Sequence, residues 1–561
     1  MSQNRSSRFI PLIVAISVVA GILIGSFYAN HFAGNKLSII NTSSNKLNDL
    51  LHIISDQYVD KVNTRDLVEK ALPKILNELD PHSAYIGAKD VEKSMEDLKG
   101  SFSGIGISYL IIEDTVRVIN VVEGGPSEDS GLQPGDCIIS VDNKPFVGKE
   151  VTADKAASTL KGPKNSKVVI GIKRKGHKKP LSYTIVRGDI PVKSIAATYM
   201  LNENTGYIKI NNFSSTTYPE LLASLAKLNR DKFQGLVIDL RNNGGGYMQP
   251  AVQTAYEFLP TDRLVLYTEG YKSPREEFRS NGRGSYQSLP LVILVDETTA
   301  SASEILAGAI QDNDRGTIIG RRTFGKGLVQ EPIQFADGSM LRLTISRYYT
   351  PSGRCLQKPY VKGEREEYEM DIIKRAENGE YYTQDSIHTD GKAYKTRLGR
   401  TVYGGGGIIP DIFIPHDTLG MTSYFKEAYI RGLIFKYAYI YVDEHRTQLN
   451  QYTDYKSLVE HLKKERIPEK FSVYAEKNGL KRRNLMLRTS HKLFEEFLFD
   501  NIINNLMDKN VAIQYANEND PCVLKAIEVL EKGEAFPKAT STPKAETKNV
   551  ETKNKGTNKK A

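Results

Sequence analysis

The pattern of apolar and polar positions changes character several times along the chain. Residues 9–28 (FIPLIVAISVVAGILIGSFY) run without a single charge. At about 1.5 Å of helical rise per residue, such a run spans a bilayer core of roughly 30 Å. Arg5 and Arg8 precede it, which favours a cytoplasmic N-terminus and export of everything beyond Tyr28. The expectation is a signal anchor, with residues 1–8 left in the cytoplasm. The competing reading is a cleaved signal peptide, although no small-x-small site follows Ala29.

Further on, Leu47, Leu50, Leu51, Ile54 and Tyr58 recur at helical spacing and predict an N-terminal helical region over 40–98. Asp80-Pro81-His82-Ser83-Ala84-Tyr85 interrupts it as a turn. Residues 99–188 read as short strands between turns, with one short helix over DKAASTL (154–160). From Gly206, strand-like runs (GYIKI, GLVIDL, LVILVD) alternate with helical ones (PELLASLAKLN, SASEILAGAI). That alternation predicts an α/β sheet domain over 189–416. Residues 417–535 look helical and rich in Tyr and Lys. The Lys/Thr/Asn-rich tail, 536–561, has too few apolar residues to bury a core and is expected to be disordered.

Composition narrows the choice. The 561 residues are 40% hydrophobic and 25% charged, the proportions of a globular protein. Cys137, Cys355 and Cys522 lie far apart without a CxxC, which excludes a disulfide-dense scaffold and gives no metal-ligand spacing. The net charge of +9 invites a nucleic-acid reading, but seven Lys against two Glu fall in the tail alone. No zinc-finger or aromatic RNA-binding signature is present, and nucleic acid is set aside as a partner.

Two regions carry candidate chemistry. In the first, Gly104 and Gly106 free the backbone around Ile105 and Ile107, so that several N–H groups can converge on a carboxylate. Downstream lie Gly124-Gly125-Pro126-Ser127 and Gly131-Leu132-Gln133-Pro134-Gly135-Asp136, then Ile138, Ile139 and Val141. This order resembles a PDZ domain and implies peptide binding at residues 104–107. It departs from the pattern in Asp129-Ser130, where small residues are usual. The plainer reading is a β-sandwich whose glycines only make turns.

The second region comprises three stretches. GLVIDLRNNGGG (235–246) runs an apolar strand into three glycines, which places backbone amides at a strand's carboxyl end, where open α/β sheets bind ligands. LVILVDETTASASEIL (291–306) reads strand, turn, helix, with Ser301 at the helix start. Ser301 with Glu304 equally fits a simple capping box. Lys326 sits between Gly325 and Gly327 before an apolar strand; it is either solvent-facing or, if burial lowers its pKa, a base. Between Gly206 and Asp411 the only histidine is His388, in a polar segment, so a Ser–His–Asp triad has few candidates. No GxSxG elbow is present either.

Together these stretches resemble the C-terminal processing peptidases, or tail-specific proteases. The matching pieces are LDPHSAYI (79–86), the PDZ-like module, GYIKINNFSS (206–215), GLVIDLRNNGGG, TASASEILAGAI (299–310), GKGLVQ (325–330), LTISRYYTPSGRCLQ (343–357) and GGGGIIPDI (404–412), in the family's order. The resemblance implies an α/β core with an inserted β-rich PDZ domain, N-terminal helices and a C-terminal helical extension. It implies Ser301 as nucleophile, Lys326 as general base, Gln330 as the residue orienting the lysine, and the N–H groups of Ala302 and Gly246 as the oxyanion hole. No metal or cofactor is implied. The partners would be proteins with accessible C-terminal tails, met outside the cytoplasm beside the inner membrane, with self-assembly left open. Residues 361–400, long and charged, look like a surface insertion, and 417–535 carry no legible motif. The alternative function is a catalytically silent PDZ scaffold that captures exported C-termini.

Overall fold

The computed structural model describes residues 18–22, 42–387 and 391–539. The apolar run 9–28 lies outside the described residues except for 18–22, which are helical; the tail lies outside them beyond residue 539. Among the described residues no helix is long and apolar enough to cross a membrane. The chain divides into two units, Met1–Leu79 and Asp80–Ala561.

The first unit holds helices α1 (Thr42–Gln57) and α2 (Thr64–Asn77). Asn63 starts α2 by accepting from the backbone N–H groups of Arg65 and Asp66, which have no partner inside the helix.

The second unit opens on a turn held by Asp80, whose carboxylate accepts from the N–H groups of His82 and Ser83, each at 2.8 Å. Strand β1 (Ala84–Ile86) and helix α3 (Val91–Lys99) follow. The PDZ-like module consists of β2 (Ile107–Ile112), β3 (Thr115–Val121), β4 (Cys137–Val141), α4 (Ala153–Leu160), β5 (Lys167–Lys173) and β6 (Leu181–Val186). Its antiparallel sheet has the order β2-β3-β4-β5-β6 and wraps a core of Val116, Val118, Ile138, Ile170 and Ile185. The segments entering and leaving it, Ser101–Gly104 and Gly188–Pro191, pair with each other and close its neck.

The α/β core then runs β7 (Ile195–Met200), β8 (Thr205–Ile210), α5 (Thr217–Arg230), β9 (Gly235–Asp239), α6 (Met248–Phe258), β10 (Leu264–Glu269), β11 (Glu276–Arg279), β12 (Leu291–Val295), α7 (Ala302–Asp312), β13 (Thr317–Gly320), β14 (Leu328–Gln334), β15 (Met340–Tyr349), α8 (Arg365–Glu377) and β16 (Ile412–Phe413). The main sheet has the order β7-β8-β9-β12-β13-β16 and is parallel except for β7. Every residue of β9 and β12 is buried, as parallel strands covered on both faces require. Helices α5, α6 and α7 cover one face through Leu225, Val252 and Leu306. A second sheet joins β1, β15, β10 and β11, with β14 paired to β15.

The other face of the main sheet is covered from the C-terminal side. After α9 (Leu433–Leu449), α10 (His491–Leu506) and α11 (Lys509–Asn517), helix α12 (Pro521–Glu531) lays Val523, Ala526 and Val529 against Tyr207, Val237, Val292 and Ile319. Each buried valine or isoleucine of this layer contributes about 1.5–3 kcal/mol by leaving water. The remaining helices build their own core around Phe471, Phe494 and Leu498. Tyr439 of α9 also packs on Ile112 and Ile119 of the PDZ-like module. The charged segment 361–400, expected at the surface, buries two side chains of α8, Tyr368 and Arg375. Arg375 donates to the carbonyls of Thr323 and Arg322, and so braces the loop that leads into Lys326.

Candidate active site

The carboxyl ends of β9 and β12 converge. Asn242 donates its N–H to Asp296 (2.9 Å), and Ala300 donates to the carbonyl of Asn243 (3.0 Å), so the glycine run and the serine turn are tied together. A Cβ on Gly245 would lie 2.7 Å from both Ser301 Cβ and Ala300 O. Only glycine lets the strand end approach the serine so closely. The close approach thus falls on Gly245, one residue before the glycine whose amide the sequence singles out. Gly246, at φ 143°, rests against Phe213 O, which a Cβ would meet at 2.1 Å.

Ser301 caps α7 with φ 56° and ψ −117°, a conformation non-glycine residues rarely adopt. What holds it is Glu304. This fully buried carboxylate accepts from Ser301 N–H (2.9 Å), Lys326 N–H (2.8 Å), Gly325 N–H (2.8 Å) and the Thr323 hydroxyl (2.5 Å). One side chain therefore fixes the backbone of both candidate catalytic residues. Burial pushes its carboxyl above the usual range, against the pull of those donors. The Tyr348 hydroxyl adds a bond to Lys326 O (2.7 Å). Among the described residues, neither the N–H of Gly246 nor that of Ala302 has an acceptor in the protein.

Ser301, Lys326 and Gln330 line one cavity of about 430 Å³ with Gly244, Gly245, Gly246, Met340 and Arg342; Ser94, Met95 and Leu98 of α3 form its far wall. Burial pulls the Lys326 ammonium down to about 8, helped by the charge of Arg342 and opposed by Glu304 and Asp80. Ser301 and Lys326 share the cavity without a hydrogen bond between their side chains. Gln330 donates to the Thr344 hydroxyl (3.4 Å) rather than to Lys326, and Thr344 in turn donates to Asp80 (3.1 Å).

Sequence reasoning gave Asp80 and His82 no role in the site: it took them as a turn and as part of the LDPHSAYI piece of the resemblance. His82 Nε2 lies 2.9 Å from the Tyr368 hydroxyl. Burial first, then the charge of Lys326, push its pKa down to about 3, so it stays neutral. The signal that could have found them is the polar run Asp80-Pro81-His82-Ser83 itself, too rich in hydrogen-bonding groups for a mere connection.

At the PDZ-like loop the carbonyls of Ile105 and Gly106 accept from Ser127 and Val122, while among the described residues their own N–H groups have no acceptor. Gly106, at φ 78°, permits this turn. Adjacent free amides of this kind suit a carboxylate. Ile107 follows at the start of β2, and Gly104 packs against Lys161 just beyond α4.

The sequence profile of Peptidase family S41 matches residues 204–366, that of a PDZ domain matches 117–174, and that of a family of unknown function (DUF8443) matches 424–518. A carboxy-terminal-processing protease of Bartonella bacilliformis is 33% identical over 316 residues, covering 56% of this chain and 72% of the relative. Carboxy-terminal processing protease CtpB of Bacillus subtilis is 32% identical over 320 residues, covering 56% and 66%. Among solved structures, the photosystem II D1 C-terminal processing protease is 27% identical, with 56% and 84% covered and a TM-score of 0.33. Fold and relatives together define a serine peptidase with a PDZ domain. The chain belongs to peptidase family S41, among the carboxy-terminal processing proteases.

Proposed function

We propose that the chain is a membrane-anchored endopeptidase that captures the C-terminal tails of exported proteins and cuts near them by Ser–Lys chemistry. The observation that carries this reading is the shared cavity of Ser301 and Lys326, with the lysine drawn toward neutrality and two free amides alongside. Neutral Lys326 takes the proton of Ser301 Oγ as that oxygen attacks the scissile carbonyl. The N–H groups of Ala302 and Gly246 receive the oxyanion; one such donor is worth on the order of 10²–10³ in rate. Lys326 then hands its proton to the leaving amine, and water releases the acyl group by the same route in reverse. Residues 104–107 hold the tail's carboxylate. The uncharged run 9–28 behind Arg5 and Arg8 supports the anchor and a periplasmic or extracytoplasmic catalytic part.

The test is cleavage of a protein with an apolar C-terminal tail by the wild type and by Ser301→Ala and Lys326→Ala. Cleavage by the wild type alone, with an acylating probe labelling Ser301, supports the mechanism. Equal cleavage by all three moves the chemistry to another nucleophile. Tail binding with neither cleavage nor labelling identifies a silent scaffold instead.

A further inference from the structure

The helical region that matches a family of unknown function takes no part in the chemistry above, yet it stands against the tail-binding module. Among the described residues β2 is an edge strand, paired with β3 on one side and with no strand on the other. Its side chains alternate: Ile107, Tyr109 and Ile111 pack on the PDZ core, while Ser108 and Leu110 are exposed on the opposite face. Over that opposite face lies a cavity of about 420 Å³. Ser108, Leu110 and Asn120 line one side of it beside Tyr109 and Ile119; the polar groups Asn501, Asn505 and Lys509 of the helical region line the other, with Phe435 and Met507 as its apolar part. A tail added to β2 as a further strand alternates in the same way. Its terminal residue and every second one face the PDZ core, and the residues between them face the side of Ser108 and Leu110.

We infer that the C-terminal helical region is the second wall of the tail-binding site, where Asn501, Asn505 and Lys509 select polar, preferentially acidic, side chains at the alternate positions of a bound tail. The inference rests on the tail-binding reading of residues 104–107. Its chemistry follows from what these groups have already spent. Asn501 and Asn505 each donate one amide N–H, to the carbonyls of Phe497 (2.7 Å) and Asn501 (2.8 Å), which leaves a second N–H to donate to a carboxylate or carbonyl and the side-chain oxygen to accept from hydroxyls and amides. Lys509 is exposed and makes no ion pair among the described residues, so it complements a carboxylate. The preferred ligand is a protein tail with an apolar last residue and a free carboxylate, in which apolar residues alternate with serine, asparagine, aspartate or glutamate.

The experiment uses the full chain carrying Ser301→Ala and short fluorescent peptides that share one apolar last residue. The alternate positions hold Glu in one peptide, Lys in a second and Leu in a third; a fourth repeats the Glu peptide with an amidated end. By fluorescence anisotropy at low salt the Glu peptide should bind about three- to tenfold more tightly than the Lys peptide, and Lys509→Glu should reverse that order. An unchanged thermal melting curve shows that the exposed substitution leaves the fold intact. Affinity indifferent to the alternate positions, or a preference that survives Lys509→Glu, overturns the inference while tail binding stands. If no peptide binds, or amidation changes nothing, tail-carboxylate capture by residues 104–107 fails and the inference falls with it.

Discussion

Replacing Lys326 with Met should make the protein more stable and inactive at once. The structure holds the lysine in a largely buried cavity next to Arg342, which moves its pKa from 10.5 to about 8. That corresponds to roughly 3 kcal/mol by which the fold disfavours the charged side chain. Methionine keeps the aliphatic stem and its packing but carries no charge. Because the lysine's pKa is lower in the folded chain than in the unfolded one, the unfolded state binds the extra proton between about pH 8 and 10.5. The destabilisation is therefore fully present below about pH 8 and disappears as the pH rises toward 10.5. Urea unfolding followed by circular dichroism should show Lys326→Met more stable than wild type by about 2–3 kcal/mol near pH 7, and nearly equal to it at about pH 10.5. Wild-type kcat/KM should rise through about pH 8 as the base loses its proton, and the variant should show no such limb. A destabilised Lys326→Met, or a stability difference that does not change with pH, would refute the reasoning.

Three further outcomes follow from the same site and its neighbour. Glu304→Gln puts an amide nitrogen where an oxygen accepts two donors, and each donor left without an acceptor costs about 1–3 kcal/mol. The melting temperature and kcat should both fall, with kcat down at least about 10²-fold and KM little changed; full activity would show that the carboxylate does not hold Ser301 and Lys326. Gly245→Ala forces a Cβ to 2.7 Å from Ser301 Cβ, so labelling of Ser301 by an acylating probe should nearly vanish, and undiminished labelling would contradict the packing. Tyr109→Phe removes the hydroxyl that ties β2 to the first turn of α4 through Ala153 O (3.2 Å), so tails should enter the groove more readily and bind a few-fold more tightly; unchanged or weaker binding in an anisotropy titration would count against it.

What the sequence made legible, and what it hid, divide along the range of the interactions. The family, the α/β core and the inserted PDZ domain could be read from runs of a dozen residues, because strand ends, glycine turns and helix starts are local. Glu304 shows the limit. Its three-residue spacing from Ser301 reads as a capping box, and that half is correct: it accepts the serine N–H. Its hold on residues 323, 325 and 326 depends on β13 returning beside β12, which no local pattern announces. Asp80 is similar. It reads as a turn former and is one, yet it also accepts from Thr344, a residue 264 positions away. The segment 361–400 reads as surface because its charges outnumber its apolar residues. Arg375 and Tyr368 are buried all the same, since the backbone carbonyls and polar groups around the loop that leads into Lys326 need donors that an apolar insertion could not supply. The C-terminal region reads as helical but gives no sign of what its helices meet. One of them, α12, closes the back of the sheet and, through Asp520, accepts from Arg241 (2.7 Å) at the start of the glycine run. The C-terminal helical region thus reaches both the strand end that leads into the glycine run and the PDZ domain, so removing it should disturb the proposed catalysis and tail capture together.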